Sequence, residues 1–392
     1  MEKGTSRKIV GASGSTRFWF LLSVLFLLLV LLVTFPEVFG WAIKYSRLPL
    51  TGETVLETKK APVVPPLDRA LYDKKLEKLA NNPPPPPPET KIVKNTETGA
   101  EETVTIEKPA PTYLWPVKTG YPNDGAILPF YRIVAYYGNL YSTKMGVLGQ
   151  YPEAEILSRL EEEVKKWEIA DPTTPVQPAL HYIAVVAQGS AGEDGKYRAR
   201  MPFSEIDKVL AMAEKIPASP AGGHALVFLD LQVGFSTVET EIPLLEKYLK
   251  LPNVHLGIDP EFSMKTGIRP GKIVGTLDAV DINFAANYLA KIVKENNLTP
   301  KILVIHRYTQ NMVTNYQDIK PLPEVQIVMH MDGWGVEPKK INTYQQFIYP
   351  EPVQFTGFKL FYKNDTLEPG TSVFSPEELL KLSPKPIYIQ YQ

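Results

Sequence analysis

The chain predicts an α/β protein whose main domain is a (β/α)8 TIM barrel, preceded by an N-terminal transmembrane helix and a Pro-rich linker. Three observations carry the barrel. Eight short apolar runs each stop at a polar residue: Arg132–Tyr137, His181–Gln188, Ala225–Gln232, Val254–Glu261, Ile302–His306, Val325–Asp332, Phe355–Tyr362 and Pro386–Gln390. Stretches of helical period separate them, and strands alternating with helices are the pattern of a closed parallel barrel. The third observation is length, because residues 129–392 come to roughly the usual 250 residues of this architecture.

The helices follow from period and caps. Pro152–Trp167 opens with proline in its first turn and carries Ile156, Leu157 and Leu160 on one face. Ser204–Ile216 is expected to start on a serine cap. Thr237–Leu249 contains a proline near its start, and Asp281–Glu295 places Ile282, Ala285, Ala286, Leu289 and Val293 on one side. Gln310–Ile319 and Lys339–Phe347 are shorter. Ser375–Leu382 combines a serine cap, proline next and glutamates after it, and no eighth helix follows the last strand. An open doubly wound sheet is disfavoured because no Gly-rich phosphate loop follows any strand.

Ahead of the barrel, residues 1–17 contain Lys3, Arg7, Lys8 and Arg17 against Glu2 alone. Phe18 to Phe35 is uncharged and almost entirely apolar, and residues 18–43 are long enough as a helix, at about 1.5 Å per residue, to cross a core of roughly 30 Å. The positive flank keeps the N-terminus cytoplasmic and places the rest outside the cell membrane, extracellular or periplasmic, in single-pass topology. A cleaved signal would have a shorter apolar region of about 7–15 residues and a small-x-small site. Phe35-Pro36-Glu37-Val38-Phe39-Gly40 offers no such site, so an uncleaved signal-anchor is the expectation. Residues 44–128 read as a linker: Pro83–Pro88 favours a polyproline II rod, Leu67–Ala80 suits a short amphipathic helix, and Glu89–Glu107 has little to bury.

Composition removes several functions. A net charge of −1 gives no electrostatic case for nucleic acid, and the absence of cysteine excludes disulfides, thiolate metal sites and a cysteine nucleophile. There is no Gly-x-Ser-x-Gly elbow, Walker loop, His-Glu-x-x-His or Gly-x-Gly-x-x-Gly.

What remains is the polar set at the strand ends. Side chains alternate along a strand, so Asp230 shares a face with Gln232, His330 with Asp332, and Asp259 with Glu261, with Pro260 between the last two as a break in register. If those faces point at the barrel axis, acids from the third, fourth and sixth strands meet at one mouth, joined by Lys359 from the seventh. Two carboxylates, one carrying a proton and one ionised, are the working pair of most glycoside hydrolases. Asp259 or Glu261 with Asp332 is the expected catalytic pair. Asp230, Gln232, Tyr137, His306, His330, Trp334, Lys359 and Tyr362 are expected to bind substrate. Each acid also has a plainer reading: Asp-Pro-Glu and Asp-Gly are ordinary turn chemistry, and Lys359 suits the neutralisation of a buried carboxylate. No metal and no cofactor is expected. His306, His330, Asp332 and Asp230 are suitable ligand types, but no His-x-His ends the first strand and no Asp ends the eighth, while His181 is read at the start of its strand, the stability end.

The blocks Ala135-Tyr136-Tyr137-Gly138, Met145-Gly146-Val147-Leu148-Gly149, Leu229-Asp230-Leu231-Gln232, Gly257-Ile258-Asp259-Pro260-Glu261-Phe262, Val304-Ile305-His306, Met331-Asp332-Gly333-Trp334-Gly335 and Gly357-Phe358-Lys359-Leu360-Phe361-Tyr362 resemble an uncharacterised family of exported bacterial (β/α)8-barrel proteins. That resemblance implies the fold and the shared strand-end groups and supplies no reaction. A more distant glycoside-hydrolase-like resemblance also exists. Gly257-Ile258-Asp259-Pro260-Glu261 is similar to the Asp-x-Glu end of the family 18 chitinase signature, without the aspartates that precede it. Aspartates after the fourth and sixth strands resemble those of galactosidase-type barrels, which implies Asp259 as nucleophile and Asp332 as acid/base. The sequence therefore predicts a membrane-anchored extracytoplasmic barrel acting on envelope or external glycans, with the bilayer and a polysaccharide or peptidoglycan as partners. The alternative is a non-catalytic glycan-binding or envelope-structural barrel.

Overall fold

Eight parallel strands pair in chain order and close on themselves, the last returning to the first. They are β3 (Arg132–Gly138), β4 (Val176–Ala187), β6 (Leu226–Leu231), β7 (Val254–Ile258), β9 (Lys301–Arg307), β11 (Val325–Met331), β12 (Phe355–Leu360) and β13 (Tyr388–Tyr391). This computed structural model describes residues 64–94, 99, 101–106, 111–217 and 224–392. The expected anchor at 18–43 lies outside them, and no helix among the described residues is long and apolar enough to cross a membrane.

The strands form where the sequence alternates or runs apolar, and every residue of β3, β6, β7, β9, β11, β12 and β13 is buried. One face of each strand packs on the helices; the other faces the axis. Ile133, Ala135, Ala179, Leu226, Phe228, Ile302, Val304, Val328 and Phe355 fill the lower part of the interior. The same parity carried up each strand puts Tyr137, His181, Asp230, Gly257, His306, His330, Lys359 and Gln390 on the axis above them. The upper interior is thus polar where barrels of this kind are ordinarily packed with branched apolar side chains.

Two helices match their sequence signals closely. Helix α3 (Glu153–Ala170) buries Ile156, Leu160 and Trp167, and α7 (Ala279–Asn296) starts on a capping box between Asp278 and Asp281. Three expectations are corrected. Helix α4 (Phe203–Glu214) begins one residue earlier than expected, with Pro202 at the cap position and no side-chain cap bond, so Ser204 lies inside the first turn. Thr237–Leu249 is broken into α5 (Val238–Glu241), a 3-10 turn (Ile242–Leu245) and α6 (Glu246–Leu249), because Pro243 cannot donate to the helical ladder. No α-helix forms over Gln310–Ile319; two 3-10 turns flank the two-residue β10 (Val313–Thr314), which pairs with β8 (Leu277–Asp278). Helix α8 (Glu337–Phe347) and α9 (Pro376–Leu379), with its Ser375–Glu378 capping box, complete the outer layer, alongside the short α2 (Val147–Gln150) and the antiparallel β5 (Arg198–Arg200) on β4.

Part of the stretch read as linker is packed on the base of the barrel. Helix α1 (Arg69–Ala80), capped by Asp68, buries Tyr72 and Ala80, and Tyr72 joins the apolar cluster of the lower interior. Backbone and side-chain bonds hold it there: Lys385 N donates to Leu79 O at 2.7 Å, Asn81 Nδ2 to Leu382 O at 2.9 Å, and Lys78 pairs with Asp171 at 3.1 Å. Gln326 of β11 accepts from the backbone of Ile127 and Leu128 and donates back to Leu128. The amino end of the barrel is therefore closed by α1. Between these, β1 (Glu89–Lys94) and β2 (Glu101–Ile106) pair as an antiparallel hairpin, a structure that the charge-rich sequence of 89–107 did not suggest.

Candidate active site

The carboxyl end of the barrel collects ionisable or hydrogen-bonding side chains from all eight strands. Tyr137 comes from β3, His181 from β4, Asp230 from β6, Asp259 from the end of β7, His306 from β9, His330 and Asp332 from β11, Lys359 from β12, and Tyr388 and Gln390 from β13. Tyr137 donates to Asp230 Oδ2 at 2.9 Å. His306 lies between two aspartates, its Nδ1 2.8 Å from Asp332 Oδ2 and its Nε2 3.5 Å from Asp230 Oδ1. Lys359 Nζ sits 3.0 Å from Asp332 Oδ1 and 3.8 Å from the centre of the Tyr137 ring. Gln232 Nε2 reaches Asp259 Oδ2 and the Tyr137 hydroxyl, both at 3.4 Å, while its Oε1 accepts from the backbone of Ala187. On the far side, Tyr388 OH is 2.5 Å from His181 Nδ1, and Gln390 Nε2 is 3.0 Å from the same nitrogen.

Burial and charge sort these groups. Burial alone pushes carboxyls up, and for Asp259 that push wins: it is held well above the ordinary carboxylate range, with Glu261, Asp332 and Asp230 adding to it. Glu261 is raised by burial and by Asp332, although Tyr308 bonds to it. Asp332 is also buried, yet Lys359 and His306 hold it below the ordinary value. Asp230 is likewise pulled down against burial by His306 and His181. His306 resists burial through Asp230 and Asp332 and rises to about 10, whereas burial takes His181 down to about 4. His330 is pushed well down by burial and by its neighbours His306 and Lys359. Its ring stands edge-on between His306 and Tyr388, and Gly357 makes the room: a Cβ there would lie 2.5 Å from His330 Nδ1.

Of the residues expected from sequence, Asp230, Gln232, Tyr137, Asp259, His306, His330, Asp332 and Lys359 are brought together. They are buried: Asp259 is 3% and Asp332 7% exposed, and Asp230, His306 and His330 have no exposed surface. Asp259 does not extend β7 as expected; it caps a 3-10 turn (Pro260–Phe262), accepting from the backbone of Glu261 at 3.0 Å, and half-buried Glu261 lies in that turn. This is the turn role that Asp-Pro-Glu carries by composition. Trp334 is 49% exposed in the loop after β11, beneath the ammonium of Lys339. Tyr362 stays outside the barrel wall. It stacks on Tyr391 and donates to Glu163 of α3 at 3.0 Å, because its parity along the chain is that of outward-facing Phe358 and Leu360.

Sequence reasoning missed His181, Tyr388 and Gln390. The apolar run His181–Gln188 puts His181 at a strand start by sequence. The strand in fact begins at Val176, which moves His181 into mid-strand, facing Asp230 at 3.2 Å. A pocket of about 290 Å³ opens between the loops after β6 and β7, lined by Phe235, Thr237, Met264, Lys265 and Asp281 among others; Asp259, Glu261 and Asp332 do not line it.

No family model matches the chain, and no curated protein matches it. Among solved structures it is similar to one titled Cellulase Cel5C_n, at 12% identity over 66% of this chain and 75% of that one, with a TM-score of 0.35. A likeness that loose says nothing about the chemistry at the mouth.

Proposed function

We propose that the chain is a membrane-anchored glycan hydrolase whose barrel works outside the membrane by carboxylate acid–base chemistry. One observation carries the reading: Asp259, Glu261 and Asp332 share one mouth but are driven apart in protonation. Burial favours the protonated form of Asp259 and of Glu261, whereas Lys359 and His306 favour the ionised form of Asp332. A proton-bearing and an ionised carboxyl side by side divide the labour of general acid and of base or nucleophile. Glu261 is the most accessible of the three, and Trp334 offers an exposed aromatic face of the sort that stacks on sugar rings. The anchor rests on the apolar run at residues 18–35 and its basic flank.

A second reading is favoured by a separate observation. Asp332 is clamped by both Lys359 and His306 under a nearly closed surface, an arrangement that suits a glycan-binding or envelope-structural barrel without turnover. The full chain in detergent, assayed on envelope and storage polysaccharides, separates the two. Hydrolysis that falls by about 10²–10⁴-fold in Asp259→Asn, Glu261→Gln or Asp332→Asn supports the first reading, since that is the usual weight of one acid–base group. Glycan binding by the wild type with no product on any substrate supports the second.

A further inference from the structure

Among the buried side-chain atoms without a hydrogen-bond partner in the described residues are Nε2 of His181, Oδ1 of Asp230 and Nε2 of His306. They come from strands β4, β6 and β9 and point at one another, all within 4.8 Å, with the two nitrogens 3.2 Å and 3.5 Å from the oxygen. Those spacings bracket the roughly 3.3 Å that separates two ligands bound tetrahedrally at the 2.0–2.2 Å typical of zinc. All three residues are completely buried, and leaving such atoms unpaired is costly.

The remaining atoms of the same side chains are already fixed. His306 Nδ1 is held by the Asp332 carboxylate at 2.8 Å, and His181 Nδ1 lies 2.5 Å from the Tyr388 hydroxyl, which can accept its proton. Asp230 Oδ2 accepts from Tyr137 at 2.9 Å. Metal-binding histidines are oriented in this way, with the outer nitrogen engaged by a carboxylate or another polar partner and the inner nitrogen free to bind.

The fourth observation is a gap. Gly257 of β7 lies beside the triad, and a Cβ built on it would stand 2.4 Å from His181 Nε2 and 2.5 Å from Asp230 Oδ1. A side chain at that point would occupy a position within a few tenths of an ångström of metal–ligand reach from both atoms; glycine keeps it open.

We propose that His181, Asp230 and His306 bind one divalent first-row transition-metal ion inside the barrel, with Asp332, Tyr388 and Tyr137 orienting the ligands. Two imidazoles and one carboxylate suit zinc, iron(II), manganese(II) or cobalt(II), and fit poorly with calcium or magnesium, which take oxygen ligands. Three protein ligands leave a tetrahedral ion one position for water or a substrate atom. This inference does not depend on the glycan reading.

The test needs no substrate. The full chain is stripped with a chelator, offered Zn²⁺ or Co²⁺, desalted and analysed for bound metal. One equivalent per chain is expected, with cobalt giving the visible absorption of a tetrahedral site. Gly257→Ala retains all three ligand residues but drives a Cβ against His181 and Asp230, and is expected to abolish uptake; Asp332→Asn is expected to weaken it by about ten- to a hundredfold, the usual effect of losing an orienting partner. His306→Gln is expected to lose the metal while circular dichroism reports its fold. A folded wild type that takes up no metal overturns the proposal, as does equal uptake by Gly257→Ala and His306→Gln when both are folded. Because metal content is read without turnover, this proposal can fail while the hydrolase reading stands, or the reverse.

Discussion

Asp259 shows how a single residue couples stability to chemistry. Its folded pKa is raised by burial, so its favourable contribution is complete below the ordinary carboxylate value and is lost as pH climbs through the folded value. Above that point the native state must hold a buried charge. Asp259→Asn keeps the shape and removes the ionisation. Its melting temperature is therefore expected to gain on the wild type steadily as pH rises above the ordinary carboxylate value, even as any hydrolysis disappears. Parallel melting curves across that range would show that burial does not penalise this carboxylate. Asp332 has the opposite sign. Its folded pKa is lowered, so its pairing with Lys359 and His306 contributes above the ordinary value and fades in acid.

At the scale of elements, the closure of the barrel base is the least expected feature. Helix α1 has a modest apolar face, yet Tyr72 inserts into the lower interior against Ile133, Phe355 and their neighbours and is only 2% exposed. Its ring meets Tyr121 edge-on at 5.7 Å and Phe130 at 6.1 Å. Tyr72→Ala should lower unfolding free energy by about 3–5 kcal/mol, the range for truncating a buried aromatic, as measured by urea denaturation. A loss under about 1 kcal/mol would mean that α1 rests on the barrel without supporting it, since that is the scale of surface substitutions. The broken helix after β6 and the missing helix after β9 show the converse: Pro243 interrupts the first, and in the second the chain bonds to β8 through β10 instead.

For the molecule as a whole, Val64 to Gln392 form one compact unit. A chain beginning at residue 64 is expected to melt cooperatively, whereas one beginning at residue 129 exposes the apolar base around Ile133, Leu226 and Phe355 and should melt lower or aggregate. Equal melting temperatures for the two would make residues 64–128 a passive attachment.

The eight barrel strands, their order and most of the mouth are legible in the sequence alone. Alternation along Val227–Gln232 and Gln326–Asp332 puts Asp230 on one face with Gln232 and Asp332 on one face with His330; the closed sheet turns those faces to the axis. The same rule, applied to Phe355–Tyr362, separates Lys359 from Tyr362. Parity cannot say how near two strands lie, or how high on the axis each residue sits. The approach of His181 to Asp230 and His306, the gap beside Gly257 and the seat of α1 were decided by closure of the sheet. Closure brings together atoms from distant parts of the chain at distances that the register of neighbouring strands sets and that no local pattern encodes.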